Sequence, residues 1–110
     1  MIVRLWRTEL NDGCKAEYRA FEEEHSLPMF REQKGFLGVL FLRDKEGAAA
    51  LTFWENAEAV TRLAESATYR ATVERLEGTG LLHGHQTVEV FQVVGEHLER
   101  PLTGRRSKAN

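Results

Sequence analysis

Four polar side chains of this 110-residue chain could take part in chemistry: Arg4, Tyr69, His83 and His85. A guanidinium group can stabilise a phenolate, and phenol and imidazole groups can exchange protons. Two tryptophans, Trp6 and Trp54, can form the walls of an apolar cavity because their rings are large. These residue types predict proton transfer, or stabilisation of an anion, beside an apolar surface.

Two of these residues also have simpler structural interpretations, and both remain open at the level of sequence. Arg4 points to the same side of a first strand as Trp6, and pairing of the first and last strands would bring Glu89 opposite Arg4. A salt bridge there would offset the cost of an inward-facing charge. Trp54 could instead anchor the end of a strand in the core, since its ring buries a large area and its nitrogen needs one partner.

The histidines and the single cysteine give only weak indications of a metal or thiol site. His83 and His85 are two residues apart, but no third ligand at metal-binding spacing accompanies them, so a solvated loop is the favoured interpretation. His25 follows three glutamates, residues 22–24, in a run typical of a solvated helix face. Cys14 cannot form an internal disulfide and is expected to be inert. The sequence therefore predicts no metal and no cofactor.

Four strands and two helical regions must position these side chains. Alternation and a high content of β-branched and aromatic residues predict four strands, over residues 2–8, 36–43, 49–54 and 87–94. In the first strand Val3 and Leu5 lie on one face, and Arg4 and Trp6 lie on the other. The second strand is apolar at nearly every position, which predicts that both of its faces are covered.

The helical regions lie between these strands. The first spans residues 14–34 and should kink or restart at Pro28, because proline cannot donate a hydrogen bond inside a helix. The second begins at residue 55 or 56, breaks over residues 66–68 and ends near residue 76. Residues 81–86, which carry two of the histidines, are predicted to form a connector.

This order of elements predicts an α+β fold of ferredoxin-like βαββαβ topology, a four-stranded antiparallel sheet with the helices on one face. The other face is then bare and would expose large apolar side chains such as Trp6, Phe53 and Phe91. Packing two sheets face to face covers them by two-fold symmetry, so we expect a homodimer. A monomer with a polar open face is the alternative, and the apolar second strand argues against it.

Charge and composition exclude several partners. The formal net charge of −2 lacks the basic excess of proteins that bind nucleic acid or anionic membranes. No apolar run approaches the roughly 18 residues that a membrane-spanning helix needs, and no signal-peptide pattern is present, so we expect a cytoplasmic protein. We expect one domain over residues 1–95 and a charged, disordered tail over residues 96–110.

Three stretches of the sequence carry a resemblance to a known family. They are LPMFREQKGFLG at residues 27–38, LTFWE at residues 51–55 and TVEVF at residues 87–91. With these motifs the chain resembles the antibiotic biosynthesis monooxygenase family of the dimeric α+β barrel superfamily, over residues 1 to about 94. The resemblance implies the dimeric barrel architecture more strongly than it implies an activity, because the motifs satisfy packing first.

Some members of that family oxygenate aromatic polyketide or quinol substrates without metal or flavin. Such a reaction needs an apolar cavity and a polar group that removes a proton or holds the anion. The resemblance thus implies a cofactor-independent monooxygenase acting on a small aromatic or quinol-type compound, in a pocket between sheet and helices. The predicted catalytic residues are Arg4, Tyr69, His83 and His85. The predicted substrate-binding residues are Trp6, Trp54, Phe53 and Phe91.

Two other functions remain open. In a non-catalytic ligand-binding or stress-associated barrel, the same aromatic residues would only pack, and a filled interior would favour that interpretation. Haem binding or degradation is disfavoured, because Leu63, Val73 and Trp6 occupy the positions of the tryptophan, haem-ligating histidine and strand asparagine of the haem-degrading branch.

Overall fold

The structure is a computed structural model, and it describes residues 1–99. The strands in this range are β1 (Ile2–Leu10), β2 (Phe36–Arg43), β3 (Gly47–Trp54) and β4 (Leu82–Gln92). The helices are α1 (Lys15–Phe21), α2 (Leu27–Arg31), α3 (Ala57–Glu65) and α4 (Ala67–Glu77). A π-helical segment, Glu22–Ser26, joins α1 to α2. The order is the predicted βαββαβ arrangement.

The strands form one antiparallel sheet in the order β2-β3-β1-β4. Arg4 of β1 pairs with Thr52 of β3 and with Val90 of β4, so these three side chains point to the same face. Because side chains alternate along a strand, Trp6 shares this face and Leu5 points to the other. The predicted division of β1 into two faces is confirmed.

The helices cover the face of the sheet that carries Trp6. One core cluster packs Trp6, Ala48 and Ala50 of the sheet against Tyr18 and Phe21 of α1. Ala50 pairs directly with Trp6, and its small side chain leaves room for the indole ring under the helices. The expectation that Trp6 lies on the bare face is therefore wrong, since the even-numbered residues of β1 face the helices.

The first helical region continues through Pro28 without a break. The π-helical segment precedes α2, and Pro28 occupies the first turn of α2, where its missing N–H is least costly. The predicted restart at the proline does not occur; the helix instead widens its turns over the π-helical segment that precedes α2. Gly35 then closes the region with φ +87°, in the left-handed conformation that glycine adopts without strain.

We call the other side of the sheet the open face; it carries Leu5, Leu40, Leu51, Phe53 and Phe91. Within one chain no element covers it in the described residues. Phe91 is 49% exposed, and Leu37 and Leu42 of β2 are also exposed. In a single chain the helices cover only one face of β2, so the prediction that both of its faces are covered depends on a second chain and stays a prediction.

Strand β4 is longer at its start than predicted. It begins at Leu82, so His83 and His85 lie in the strand and not in a connector; Glu9 of β1 pairs with His83. The pairing is irregular here, since the register shifts between Arg7 and Glu9. The strand ends at Gln92, and the expected disordered tail falls mostly on residues 100–110, outside the described residues.

Among residues 1–99, no helix is long and apolar enough to cross a membrane.

Candidate active site between sheet and helices

A cavity of about 40 Å³ lies between the sheet and the helices. Strand β1 supplies Arg4 and Trp6, which are 6% and 9% exposed, and the helical regions supply most of the remaining wall. Its apolar lining residues are Trp6, Met29, Phe30, Phe41, Ala50, Val73 and Leu76. Its polar lining residues are Arg4, Tyr18, Ser26, Tyr69 and Thr72.

Arg4 and Tyr69 meet in this cavity although 65 positions separate them in the chain. The Arg4 Nη2 donates a hydrogen bond of 2.8 Å to the Tyr69 hydroxyl, and the guanidinium carbon lies 5.3 Å from the centre of the Tyr69 ring. The phenol oxygen accepts this bond, so its own proton is left for another acceptor. The structure therefore brings together two of the four predicted catalytic side chains.

The break between α3 and α4 sets the position of Tyr69. Ser66 is extended, with ψ 130°, and its hydroxyl oxygen accepts a hydrogen bond of 3.2 Å from the Tyr69 backbone N–H. Serine is a favoured residue at such a helix start because its short side chain satisfies an otherwise free amide. The predicted interruption occurs, but at Ser66 alone, since Ala67 and Thr68 already belong to α4. The first turn of α4 then carries Tyr69 to Arg4.

The charge of Arg4 has no carboxylate partner within 4.0 Å in the part of the chain that the structure describes. The predicted salt bridge to Glu89 is wrong: Val90 lies opposite Arg4, while Glu89 pairs with Leu5 on the open face. A one-residue difference in register moves a side chain to the opposite face of a sheet. A buried cation with one neutral hydrogen-bond partner creates a positive potential that favours an anion in the cavity.

Tyr18 of α1 also lines the cavity, and the sequence analysis did not select it. Its side chain is buried at 3% exposure, and the guanidinium carbon of Arg43 lies 5.0 Å from the centre of its ring. Burial raises the pKa of Tyr18 well above its ordinary value; the charge of Glu22 adds to this shift and Arg43 opposes it. The helical spacing of Tyr18 and Phe21 was the available signal for an inward-facing residue.

A cluster of ion pairs around the buried carboxylate of Glu22 connects the first helical region to the sheet, on the side of the cavity that Tyr18 lines. Glu22 is 1% exposed and accepts hydrogen bonds from both Arg43 of β2 and Arg19 of α1. The cluster ties the π-helical segment to the edge of the sheet. The interpretation of residues 22–24 as a solvated helix face is therefore wrong for Glu22, although Glu23 and Glu24 are exposed. A fully buried carboxylate needs such partners to keep its charge.

Trp54 lies apart from the cavity and anchors the second core cluster. It is fully buried, and its Nε1 donates a hydrogen bond of 2.7 Å to the Thr52 hydroxyl. Its ring makes edge contacts with Phe36 and Phe30, with centroids 5.5 and 6.4 Å away. These contacts confirm the alternative interpretation of Trp54 as a core anchor and do not bring it to the cavity wall.

The remaining predicted site residues lie elsewhere. Phe53 and Phe91 are on the open face, separated from the cavity by the sheet. His83 is exposed, with its Nε2 3.8 Å from the Glu9 carboxylate. His85 is also exposed and borders a depression of about 540 Å³ on the open face, together with Leu5 and Leu51. Neither histidine lines the cavity that holds Arg4 and Tyr69.

An outer groove of about 320 Å³ adjoins the cavity. It runs between the first helical region and α4, and it shares Met29 and Thr72 with the cavity lining. Ser26, the last residue of the π-helical segment, also lines the cavity. Segments of π-helix are frequent at functional sites because they widen the helix locally. Met29 and Thr72 therefore lie between this groove and the cavity that holds Arg4.

Among residues 1–99, no group of three or more His, Cys, Asp or Glu side chains could hold a metal ion.

Comparison with solved structures identifies the architecture. SnoaB from Streptomyces nogalater, a cofactor-independent oxygenase, is similar with a TM-score of 0.71, 17% identity, and coverage of 90% of this chain and 97% of that one. A protein from Deinococcus radiodurans that is proposed to be an antibiotic biosynthesis monooxygenase gives a TM-score of 0.72 at 14% identity, covering 92% and 99%. This chain has the fold of the antibiotic biosynthesis monooxygenase-type proteins.

The same fold occurs in a protein that binds a porphyrin. A mutant of MhuD with two manganese protoporphyrin IX molecules bound per active site gives a TM-score of 0.73 at 24% identity, covering 88% of this chain and 98% of that one. In sequence comparison, no family model and no curated protein matches this chain. The structural similarities establish the fold and leave the chemistry to be argued from the cavity.

Proposed function

We propose that this protein is a cofactor-independent monooxygenase that acts on a small aromatic or quinol-type compound in the cavity between sheet and helices. The observation that carries the proposal is the buried, carboxylate-free guanidinium of Arg4, hydrogen-bonded to Tyr69 inside an apolar wall. A cation in such surroundings stabilises a phenolate or enolate far more than it would in water.

The proposed reaction uses the electrons of the substrate itself. Loss of a proton gives an electron-rich anion that can reduce dioxygen. A methylene carbon of the substrate then loses two hydrogens and gains one oxygen atom, and the second oxygen atom leaves as water. Arg4 holds the anionic oxygen, Tyr69 carries a proton at its hydroxyl, and the apolar lining excludes bulk water from the intermediate.

A substrate of this class requires the cavity to open. Its volume of about 40 Å³ is far below the roughly 300 Å³ typical of ligand pockets. The groove that shares Met29 and Thr72 with the cavity, beside the π-helical segment, is the proposed entrance. Separation of α2 from α4 at this groove would admit a flat ring next to Arg4, which is the kind of motion that gates many active sites.

Oxygen uptake with 1,8-dihydroxyanthrone tests the proposal. We expect the protein to consume oxygen with this substrate and the variant Arg4→Gln to lose about 100-fold in kcat, because one preorganised charge-stabilising group is removed. Arg31→Gln is the matched control, since Arg31 lies exposed on α2 and does not line the cavity. We expect this control to keep the activity of the parent protein.

Two results would contradict this function. One is the absence of oxygen uptake above the uncatalysed rate with anthrones and quinols. The other is equal activity of Arg4→Gln and Arg31→Gln, which would show that the oxidation does not depend on the buried guanidinium.

A non-catalytic ligand-binding barrel is the second candidate, and the small volume of the cavity favours it. An interior that admits about one water molecule is nearly filled. However, the cavity also contains a charged group and two phenols, which a purely packed interior would not need. Binding of aromatic compounds without oxygen uptake would support this candidate over the oxygenase.

The residues around the cavity do not fit haem. Val73 lines the cavity at the position where the haem-degrading branch has its histidine, and Leu63 is fully buried in the second core cluster. The cavity lining includes no histidine and no cysteine. His83 and His85 are on the other side of the sheet, so neither is available as a ligand there. A visible absorption band on adding haem would argue against this assignment.

We further propose that residues 1–95 form one domain that pairs through its open face into a homodimer in the cytoplasm. The apolar surface of Leu42, Phe53 and Phe91 supports the pairing. A two-fold contact between two such faces would cover this surface and close the dimeric barrel expected from the sequence.

A further inference from the structure

The Tyr18 hydroxyl is a buried polar group without a hydrogen-bond partner in residues 1–99. The side chain is 3% exposed, and its oxygen takes part in none of the side-chain hydrogen bonds formed among the described residues. Buried polar groups in proteins are almost always paired, so each exception calls for an explanation. Tyr18 lines the same cavity as Arg4 and Tyr69, and a molecule in that cavity can supply the missing partner.

We propose that the Tyr18 hydroxyl donates a hydrogen bond to a second oxygen of the ligand and thereby selects aromatic compounds that carry a carbonyl group. This inference rests on the proposed function and deepens it. Arg4 would hold an anionic oxygen, and Tyr18 a neutral acceptor oxygen on the same ring system. A ligand with two oxygen atoms on one ring system is therefore preferred over a simple phenol.

The surroundings of Tyr18 suit a donor and not a base. Burial and the nearby charge of Glu22 raise its pKa, so the phenol keeps its proton at neutral pH. Tyr69 differs, since its oxygen already accepts a hydrogen bond from Arg4. The two phenols of the cavity thus have different tasks, and only Tyr18 has an oxygen free of protein partners in the described residues.

The ion-pair cluster fixes the Tyr18 ring. Arg43 lies against the ring, with its guanidinium carbon 5.0 Å from the centroid. Both terminal nitrogens of the Arg43 guanidinium donate hydrogen bonds to the Glu22 carboxylate, which holds Arg43 in place. A donor that is held in place before the ligand arrives loses little conformational freedom on binding. Such preorganisation is what a residue that determines specificity needs.

A pair of probe ligands tests the inference by calorimetry. The first probe, 2-hydroxy-1,4-naphthoquinone, has an acidic hydroxyl and carbonyl oxygens; the second, 1-naphthol, has the hydroxyl alone. We expect Tyr18→Phe to weaken binding of the naphthoquinone about fivefold, which corresponds to one neutral hydrogen bond. Binding of 1-naphthol should change less than twofold, because phenylalanine keeps the ring and its contact with Arg43.

Tyr69→Phe is the comparison variant. It removes the partner of Arg4 and should alter the affinity for both probes, because both place their hydroxyl oxygen at the guanidinium. A melting temperature of Tyr18→Phe equal to or above that of the parent protein is also expected, since the change removes an unpaired buried hydroxyl. A decrease in melting temperature would show that the hydroxyl has a structural partner, and would overturn the inference.

The outcomes separate this inference from the proposed function. If the parent protein binds both probes and Tyr18→Phe weakens both equally or neither, the role of Tyr18 is refuted while the ligand pocket stands. If the parent protein binds neither probe, the ligand pocket itself is refuted, and the role of Tyr18 falls with it.

Discussion

Two arginines illustrate how charge pairing differs between the cavity and its wall: the Arg4 side chain is buried, and the Arg43 side chain is 26% exposed. Arg4 faces the cavity with a tyrosine as its hydrogen-bond partner, whereas Arg43 is paired with the buried carboxylate of Glu22. An unpaired buried charge lowers stability, and a paired one becomes costly to remove because its partner is left alone. The same residue type is therefore proposed to bind an anion at one site, and it stabilises the fold at the other.

Replacing each arginine by methionine should change stability in opposite directions. We expect Arg4→Met to raise the free energy of unfolding by about 1 kcal/mol, because an apolar side chain replaces an unpaired cation. We expect Arg43→Met to lower it by about 2 kcal/mol, since the buried carboxylate of Glu22 would lose one of its two arginine partners. Urea denaturation followed by circular dichroism measures both. A loss of stability in Arg4→Met as large as that in Arg43→Met would mean that Arg4 has a structural role.

The pKa of Tyr18 predicts how stability changes at high pH. Its pKa is raised in the folded state above the ordinary value of about 10 for an unfolded chain. The stabilisation is fully present below pH 10 and is lost as the pH rises further, because the unfolded chain then releases a proton that the folded protein retains. We expect the melting temperature to fall above pH 10, and to fall less steeply in Tyr18→Phe. An equal fall of the melting temperature with pH in the parent protein and in Tyr18→Phe would show that the pKa of Tyr18 is not raised in the folded state.

The turn between β2 and β3 could be predicted from residues that are close in sequence, whereas the start of β4 could not. Asp44 accepts hydrogen bonds of 2.9 Å from the backbone N–H groups of Glu46 and Gly47, which lowers the pKa of Asp44 and fixes the turn between β2 and β3. Because this turn begins directly after Arg43, β2 ends at the residue that the sequence predicted. The sequence analysis placed residues 82–86 in a connector, but they join the sheet through pairing with β1, which lies far away in sequence.

Gly47 provides a test of the pairing between β1 and β3. A Cβ atom at this position would lie 2.0 Å from the Thr8 carbonyl oxygen, so the backbone of β1 would have to move. We expect Gly47→Ala to lower the free energy of unfolding by about 1–3 kcal/mol or more. Gly38→Ala is the control, since a Cβ atom there meets nothing within 4 Å and should change stability by about 0.5 kcal/mol at most. Equal effects in thermal unfolding would show that β1 and β3 do not approach this closely.

At the scale of the molecule, the open face is an apolar surface that no element of residues 1–99 covers in a single chain. Leu37, Leu42 and Phe91 are exposed there, on both edges of the sheet. Val88 and Val90 are also exposed, but on the helix side of β4, where the helices do not reach. We therefore expect only the residues of β4 on the open face to contact a second chain.

Two neighbouring substitutions in β4 distinguish these faces. Phe91 and Val90 are 49% and 52% exposed, and they point to opposite sides of the sheet. We expect Phe91→Glu to give monomers or aggregates, because a charge in an apolar contact is unfavourable. Val90→Glu should remain a dimer. Light scattering coupled to gel filtration measures the mass, and a normally folded dimer of Phe91→Glu would contradict pairing through the open face.

The sequence by itself determined the order of elements, the two faces of β1 and the chemical types available to a site. Periodicity and turn residues carry that information because they act between residues that are close in the chain. Only the tertiary structure decided which of these side chains meet: it joined Arg4 to Tyr69 and Tyr18, and it separated them from His83, His85, Phe53, Phe91 and Trp54. The physical reason is register, since a shift of one residue exchanges the faces of a strand, and the pairing between β1 and β4 joins segments nearly a whole chain apart.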